Sequence, residues 1–220
     1  MQETIFLIGK EFQLEFRQKH ALAGVFLFVI CSVFVCFLSF EELKEGTILN
    51  PLLWLVALFS AFHAMNRTFS NEGSGTQIYL YSLAHPRAII FSKAIFNALL
   101  VALLIVVALA LFLLFFGMDS VADADLLQLA TGLVLGSTGL GITLTLIAGI
   151  AFKAGNQVGL MAILGFPVII PLLLTLVKFT ELAMNGMSWE SNALNLLILL
   201  VLNGSSLVLC LVLFPYLWRD

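Results

Sequence analysis

The side chains able to do chemistry in this sequence are few, and their spacing decides what they can do. Glu41, Glu42 and His63 are types that ligate a metal and supply a general base, as a membrane metalloprotease requires. The topology derived below puts the glutamates and the histidine at opposite membrane faces, so they cannot form one site. His20 and His63 fall near the same face at comparable depth, and neutral imidazole is a usual iron ligand. They leave a heme-binding membrane electron carrier as an alternative from a different class; the plainer account is two interfacial histidines. Asp119, Asp123 and Asp125 lack the glycine- and arginine-bearing motif that a membrane phosphotransferase would set beside them.

Nucleotide chemistry has no support either. Gly9-Lys10 has neither the earlier glycine nor the following hydroxyl of a phosphate-binding loop, and Gly73-Ser74-Gly75-Thr76 has no lysine. Any ATP hydrolysis falls to another chain. Cys31, Cys36 and Cys210 lie inside apolar runs with no CxxC or Cys/His spacing, and read as small buried residues. The sequence therefore assigns no catalytic residue, no metal site and no enzyme activity.

The elements that must carry these groups are strongly apolar. Of 220 residues, 61% are hydrophobic and 10% charged, against roughly 25% charged in soluble domains, and the mean hydropathy is +1.10. Six apolar runs recur, and a helix of about 20 residues rises about 30 Å, the hydrocarbon thickness of a bilayer. They predict spans within Ala21–Phe40, Thr47–Asn66, Ala94–Met118, Leu126–Phe152, Asn156–Val177 and Ser191–Trp218. A barrel would need strands that alternate in polarity, and nothing here alternates over tens of residues. The run from Ala21 to Phe40 is longer than a signal-peptide core, and no A-x-A site follows it.

Charge orients the spans. Lys10, Arg17, Lys19, Arg67, Arg87, Lys93, Lys153 and Arg219 fall on one side, and only Lys44 and Lys178 on the other. Eight against two puts both termini in the cytoplasm. Glu41, Glu42, Glu45, Asp119, Asp123, Asp125, Glu181 and Glu190 mark the opposite, acidic loops. Trp54, Trp189, Tyr216 and Trp218 fall at or near span ends, where amphipathic rings favour the interface, with Trp54 a turn or two inside. The formal charge of −3 gives no basic face for nucleic acid.

Before the first span, Ile5, Ile8, Phe12 and Phe16 recur at helical spacing while most charges fall elsewhere. Residues 1–20 thus predict an amphipathic helix lying on the inner membrane face, either as an anchor or as an elbow that moves with the first span. The expected fold is an all-α integral membrane protein with six transmembrane helices, an N-terminal interfacial helix and both termini cytoplasmic, forming a single domain over 1–220.

The long segment from Arg67 to Lys93 exceeds ordinary helix connections, which points to a function. Within it Ser74-x-x-Gln77 is a capping box, predicting a short helix from Gly75 to about Leu83 that displays Ile78, Tyr79 and Tyr81 and stops before Pro86. Two turns have too little core to stand alone, so this helix needs a membrane surface or a protein partner. In the fourth span Gly132, Gly136, Gly139, Gly141 and Gly149 permit close helix contact or a break between Gly136 and Gly141 that lines a cavity. In the fifth, Pro167 and Pro171 lie one turn apart and predict a kink, static or hinged.

The order of these features resembles the CcmB family, heme-exporter membrane proteins of cytochrome c maturation, within the wider class of ABC-type exporter permeases. The resemblance rests on Glu15-Phe16-Arg17, Asn50-Pro51 with Trp54, Arg67-x-Phe69-x-x-Glu72-x-x-Gly75-Thr76 and Leu83-x-x-Pro86 followed by Lys93. It continues through Gly136 with Gly139, Lys153-x-Gly155 and Leu164-Gly165-Phe166-Pro167-x-x-Ile170-Pro171. It departs at Phe166, where leucine is expected, and after Gly75-Thr76, where an acidic residue often follows.

The resemblance implies a permease subunit in the bacterial cytoplasmic (inner) membrane that handles no ATP itself. It implies four kinds of partner: a cytoplasmic ATPase subunit, a tryptophan-rich heme-handling membrane subunit, an outer-side heme chaperone, and a second subunit in a homodimer or hetero-oligomer. Heme would be handled by the complex, with membrane lipid around it. By this resemblance Arg67, Glu72, Gly75, Thr76, Pro86, Arg87 and Lys93 are the expected ATPase-coupling residues. Gly132, Gly136, Gly139, Pro167 and Pro171 are the expected packing or hinge residues. An exporter permease for a lipid or drug is the alternative within transport.

Overall fold

The computed structural model describes residues 2–39, 46–69, 85–117, 121–155 and 157–217. Among the described residues the secondary structure is helical: α1 (Gln2–Arg17), α2 (Lys19–Ser39), α3 (Gly46–Met65), α4 (Pro86–Phe116), α5 (Leu126–Lys153), α6 (Gln157–Met184) and α7 (Trp189–Leu217). The last six are long and apolar enough to cross a membrane. This is an all-α membrane fold, and each of the six apolar runs lies on one of the six spans, two of which extend well beyond their expected bounds.

Local chemistry explains where the helices begin and end. Pro86 opens α4 behind an extended His85, because its fixed φ suits a first helical turn and its missing N–H needs no partner there. The third span therefore starts at Pro86, not Ala94, and residues 86–93 are its first two turns rather than part of a connection. Asp125 caps α5, accepting from the Leu127 and Gln128 amides at 2.9 and 3.1 Å. These donors hold its carboxyl below the usual aspartate range. The fifth span continues past Val177 to Met184. In the α6–α7 turn Gly186 takes φ +63°, and a Cβ there would stand 2.6 Å from the Asp123 carbonyl, so the turn requires glycine.

Neighbouring spans run in alternating directions, as contacts at both ends show. At one end Phe69, just after α3, stacks on Phe152 of α5 and meets Phe214 of α7. At the other, Phe37 of α2 packs on Phe115 of α4, and the Asp125 amide bonds to the Ala183 carbonyl of α6. We call the first the basic end, since Lys10, Arg17, Lys19, Arg67, Arg87, Lys93 and Lys153 lie toward it. The second, the acidic end, carries Asp123, Asp125, Glu181 and Glu190.

Helix α5 is the centre of the bundle, with α3, α4, α6 and α7 packed around it. Water drives no helix association inside lipid, so close packing and polar contacts must hold such a bundle together. The glycines provide the approach. A Cβ on Gly141 would stand 2.6 Å from the Ala98 Cα of α4, one on Gly132 2.7 Å from Thr180 Cγ2, and one on Gly136 inside the Trp54 ring. Helix α5 is continuous through Gly136–Gly141, so no break occurs there, although Ser137 and Thr138 of this stretch, with Ile142 just beyond it, line an apolar cavity of about 300 Å³ against α4. Trp54 is correspondingly a core residue with no exposed surface, not an interfacial one. Pro167 and Pro171 both sit within the single helix α6, where they leave the Ile163 and Pro167 carbonyls without intrahelical donors.

Polar rungs complete the packing. The Trp54 indole donates to Thr180 Oγ1 at 2.9 Å, and that hydroxyl lies 2.7 Å from Asn50 Oδ1. Asn192 of α7 donates to Gln128 of α5 and to the Phe179 carbonyl of α6, at 3.1 and 2.9 Å. Away from α5 the surface is apolar. Helix α2 buries only Val25, Val29 and Val33, one stripe of its circumference, and exposes Leu27, Ile30, Phe34 and Leu38.

The Gly141→Ala substitution should lower stability in detergent by about 1–3 kcal/mol, the range for overpacking, measured by thermal or denaturant unfolding. Gly204→Ala in α7, where nothing lies within 4 Å of the new methyl, should leave stability unchanged or slightly raised. Because the Asp125 pKa is lowered on folding, its charge-dependent contribution is fully present above the ordinary value of 3.8 and fades as pH falls through the lowered folded value. Asp125→Ala should accordingly lower Tm at pH 7, with a smaller deficit in strong acid.

Candidate functional site at the basic end of the bundle

Between Ala88 and Phe116 the only polar residues are Ser92, Lys93 and Asn97. An ionisable group inside a spanning helix must face the bundle interior and find partners. Lys93 does so completely, with 0% of its side chain exposed. Its Nζ lies 3.1 Å from Glu11 Oε1 of α1, donates to the Thr68 carbonyl at 3.1 Å, and sits 5.2 Å from the centroid of the Phe69 ring. Among the described residues, carboxylate, carbonyl and ring face come from two segments outside α4, so the ammonium joins α1 and the turn after α3 to α4.

The cluster extends in both directions. Toward the outside, Arg67 Nη2 lies 3.2 Å from Glu15 Oε1, one turn along α1 from Glu11, and Lys10 lies 3.4 Å from Glu11. Burial raises the Glu15 carboxyl above its ordinary range, with the Arg67 charge pulling the other way. Toward the membrane centre, Asn97 lies one turn beyond Lys93 on α4 and donates to Thr145 Oγ1 of α5 at 2.8 Å. Its amide is also 3.3 Å from Thr68 Oγ1. Thr145 in turn donates to the Gly141 carbonyl at 2.5 Å, next to the close approach of α4 and α5.

Helix α1 is built for two surroundings. Its inward face presents Leu7 and Glu11, both buried, while Ile5, Phe6 and Phe16 are exposed, so the apolar stripe read from the sequence faces away from the bundle. Phe12 bridges the two, edge-on to Phe96 of α4 with centroids 4.9 Å apart.

The expected coupling residues divide accordingly. Arg67 and Lys93 belong to the cluster. Pro86 begins α4, and Arg87 is exposed beside Val212, Pro215 and Tyr216 of α7. Glu72, Gly75 and Thr76, with the capped helix expected around them, lie outside the described residues. Gly132, Gly136 and Gly139 are at packing contacts on α5, and Pro167 and Pro171 are on the exposed side of α6, apart from the cluster. Glu11, Asn97 and Thr145 belong to the cluster without having stood out in the sequence. The signal for Asn97 is its spacing of four from Lys93 in an otherwise apolar run, and for Glu11 the second helical face Leu7, Glu11, Leu14.

Elsewhere, His63 stacks on Phe28 with centroids 6.0 Å apart, beside an apolar cavity of about 320 Å³ lined also by Phe59, Phe62 and Phe166. Among the described residues no group of three His, Cys, Asp or Glu side chains is placed to hold a metal ion.

Six spans, one of them a glycine-rich central helix, with a buried charge cluster beside a long connection, define a multi-pass membrane protein. The family model described as CcmB protein matches residues 2–216, and the chain belongs to that family. Membership implies a heme-exporter membrane subunit of cytochrome c maturation. No curated protein and no solved structure matches the chain.

Removing one partner of a buried ion pair costs about 3–5 kcal/mol. Glu11→Met takes a carboxylate away from a fully buried ammonium that keeps the Thr68 carbonyl and the Phe69 ring, and should cost no more than the lower end of that range, whereas Lys93→Met, which leaves Glu11 beside Lys10, should cost less. The E11M/K93M double variant should recover most of the loss. Unfolding in detergent measures all three, and strictly additive effects would show that the two charges do not depend on each other.

Proposed function

We propose that the chain is the permease subunit of an ABC-type complex in the bacterial inner membrane. In this reading a cytoplasmic ATPase presses on the 67–93 region and thereby moves the membrane helices, with Glu72, Gly75, Thr76 and Arg87 toward the ATPase. The observation that carries it is the anchoring of that region. Its first residues, Arg67 to Phe69, are held by Glu15, by Lys93 and by the aromatic contacts of Phe69, while its last ones form the start of α4. A push on the intervening segment therefore reaches α3 and α4 together.

Energy transfer requires that the partner contact two arrangements of the helices differently. Pro167 and Pro171 supply a weakened turn in α6 at which such arrangements can differ. The remaining partners are a heme-handling membrane subunit and an outer-side heme chaperone, with heme handled by the complex and ATP bound by the ATPase. The family membership and the absence of any phosphate-binding motif in this chain support that division of labour.

The chain should co-purify with its ATPase and raise its hydrolysis rate. Replacing Glu72, Gly75 and Arg87 together should abolish co-purification, stimulated hydrolysis or both, and cells carrying only this variant should lose c-type cytochromes. Intact assembly with undiminished stimulation in the triple variant would sink the coupling assignment.

A further inference from the structure

An interfacial anchor needs an apolar face toward lipid and nothing charged behind it, yet α1 places a carboxylate against the bundle. Buried ion pairs contribute little net stability compared with well-packed apolar side chains, and their best-attested use is to fix one arrangement against another. Glu11 lies on α1, its partner Lys93 on α4, and a second acceptor for Lys93, the Thr68 carbonyl, just past the end of α3. One turn deeper, Asn97 touches the Thr68 hydroxyl and bonds to Thr145. Thr145 bonds to the Gly141 carbonyl of the central helix. The result is a polar path from α1 through α4 to the middle of α5.

We propose that Glu11, Lys93 and Asn97 form a joint that makes α1 a moving part of the permease and delivers displacement of the 67–93 region to α5. The proposal rests on the ATPase-coupled reading above and adds to it two positioning residues, Glu11 and Asn97, and a route. Hydrogen bonds and ion pairs suit this role because they are directional and exchange partners in discrete steps, whereas apolar contacts slide. Arg67 and Glu15 form a second tie between α1 and the start of the same region, so α1 is held at two points a turn apart.

The test uses the complex of full-length chain and ATPase and three measurements: assembly yield, melting temperature, and the ratio of stimulated to basal ATP hydrolysis. In E11M/K93M both charges go while volume is kept, and in Asn97→Leu the link to α5 goes. Assembly should persist, and the hydrolysis ratio should fall about fivefold or more, the lower range of coupling between linked sites. A purely structural role would move yield and melting but not the ratio in assembled complex. Wild-type ratios in both assembled variants would overturn this proposal alone. Should E11M/K93M fail to assemble, Asn97→Leu decides, and a wild-type ratio there overturns it. Failure of the unaltered chain to bind or stimulate its ATPase would overturn the coupling reading and this joint with it.

Discussion

The structure depends on backbone approach at helix α5. In a solvent as apolar as the side chains, burying leucine against leucine gains little, so helices associate where their main chains come close and where a few polar groups find one another. Gly141 against Ala98 and Gly136 against the Trp54 ring are such places, and four other helices pack on α5 as a result. The polar rungs lie on or beside the same helix: Gln128 with Asn192, Thr145 with Asn97, and Trp54 with Thr180 next to Gly136. The peripheral helices, α2 above all, need only one buried stripe and leave their other faces for lipid.

Two different kinds of constraint thus act on the two ends. The acidic end is tied by neutral amides, an N-cap and tight turns, which have one good arrangement. The basic end is tied by charges drawn from α1, α4 and the turn after α3, whose pairing can be exchanged. In the coupled reading proposed above, this asymmetry would let the acidic end serve as a fixed base for rearrangement at the basic end.

Much of this is legible in the sequence. The six spans follow from apolar length, which sterics and desolvation translate directly into helices, and the glycines of α5 announce close contact. Trp54 reads as interfacial because amphipathic rings favour interfaces in general, and only the tertiary fold reveals that Thr180 can satisfy its indole inside. Apolar length alone starts α4 too late because Lys93 interrupts the run; its partner, Glu11, lies 82 positions away, beyond any local pattern. The same distance hides the cluster itself, whereas Asn97 can be found by asking which face of α4 its spacing from Lys93 defines.

The separation of Glu11 and Lys93 along the chain also orders the protein's biosynthesis. Helix α1 leaves the ribosome long before α4, so its carboxylate is already waiting when the lysine reaches the membrane. The span that carries Lys93 thus reaches the membrane after a helix that offers it a counter-ion, and pairing with Glu11 lowers the cost of placing that charge there.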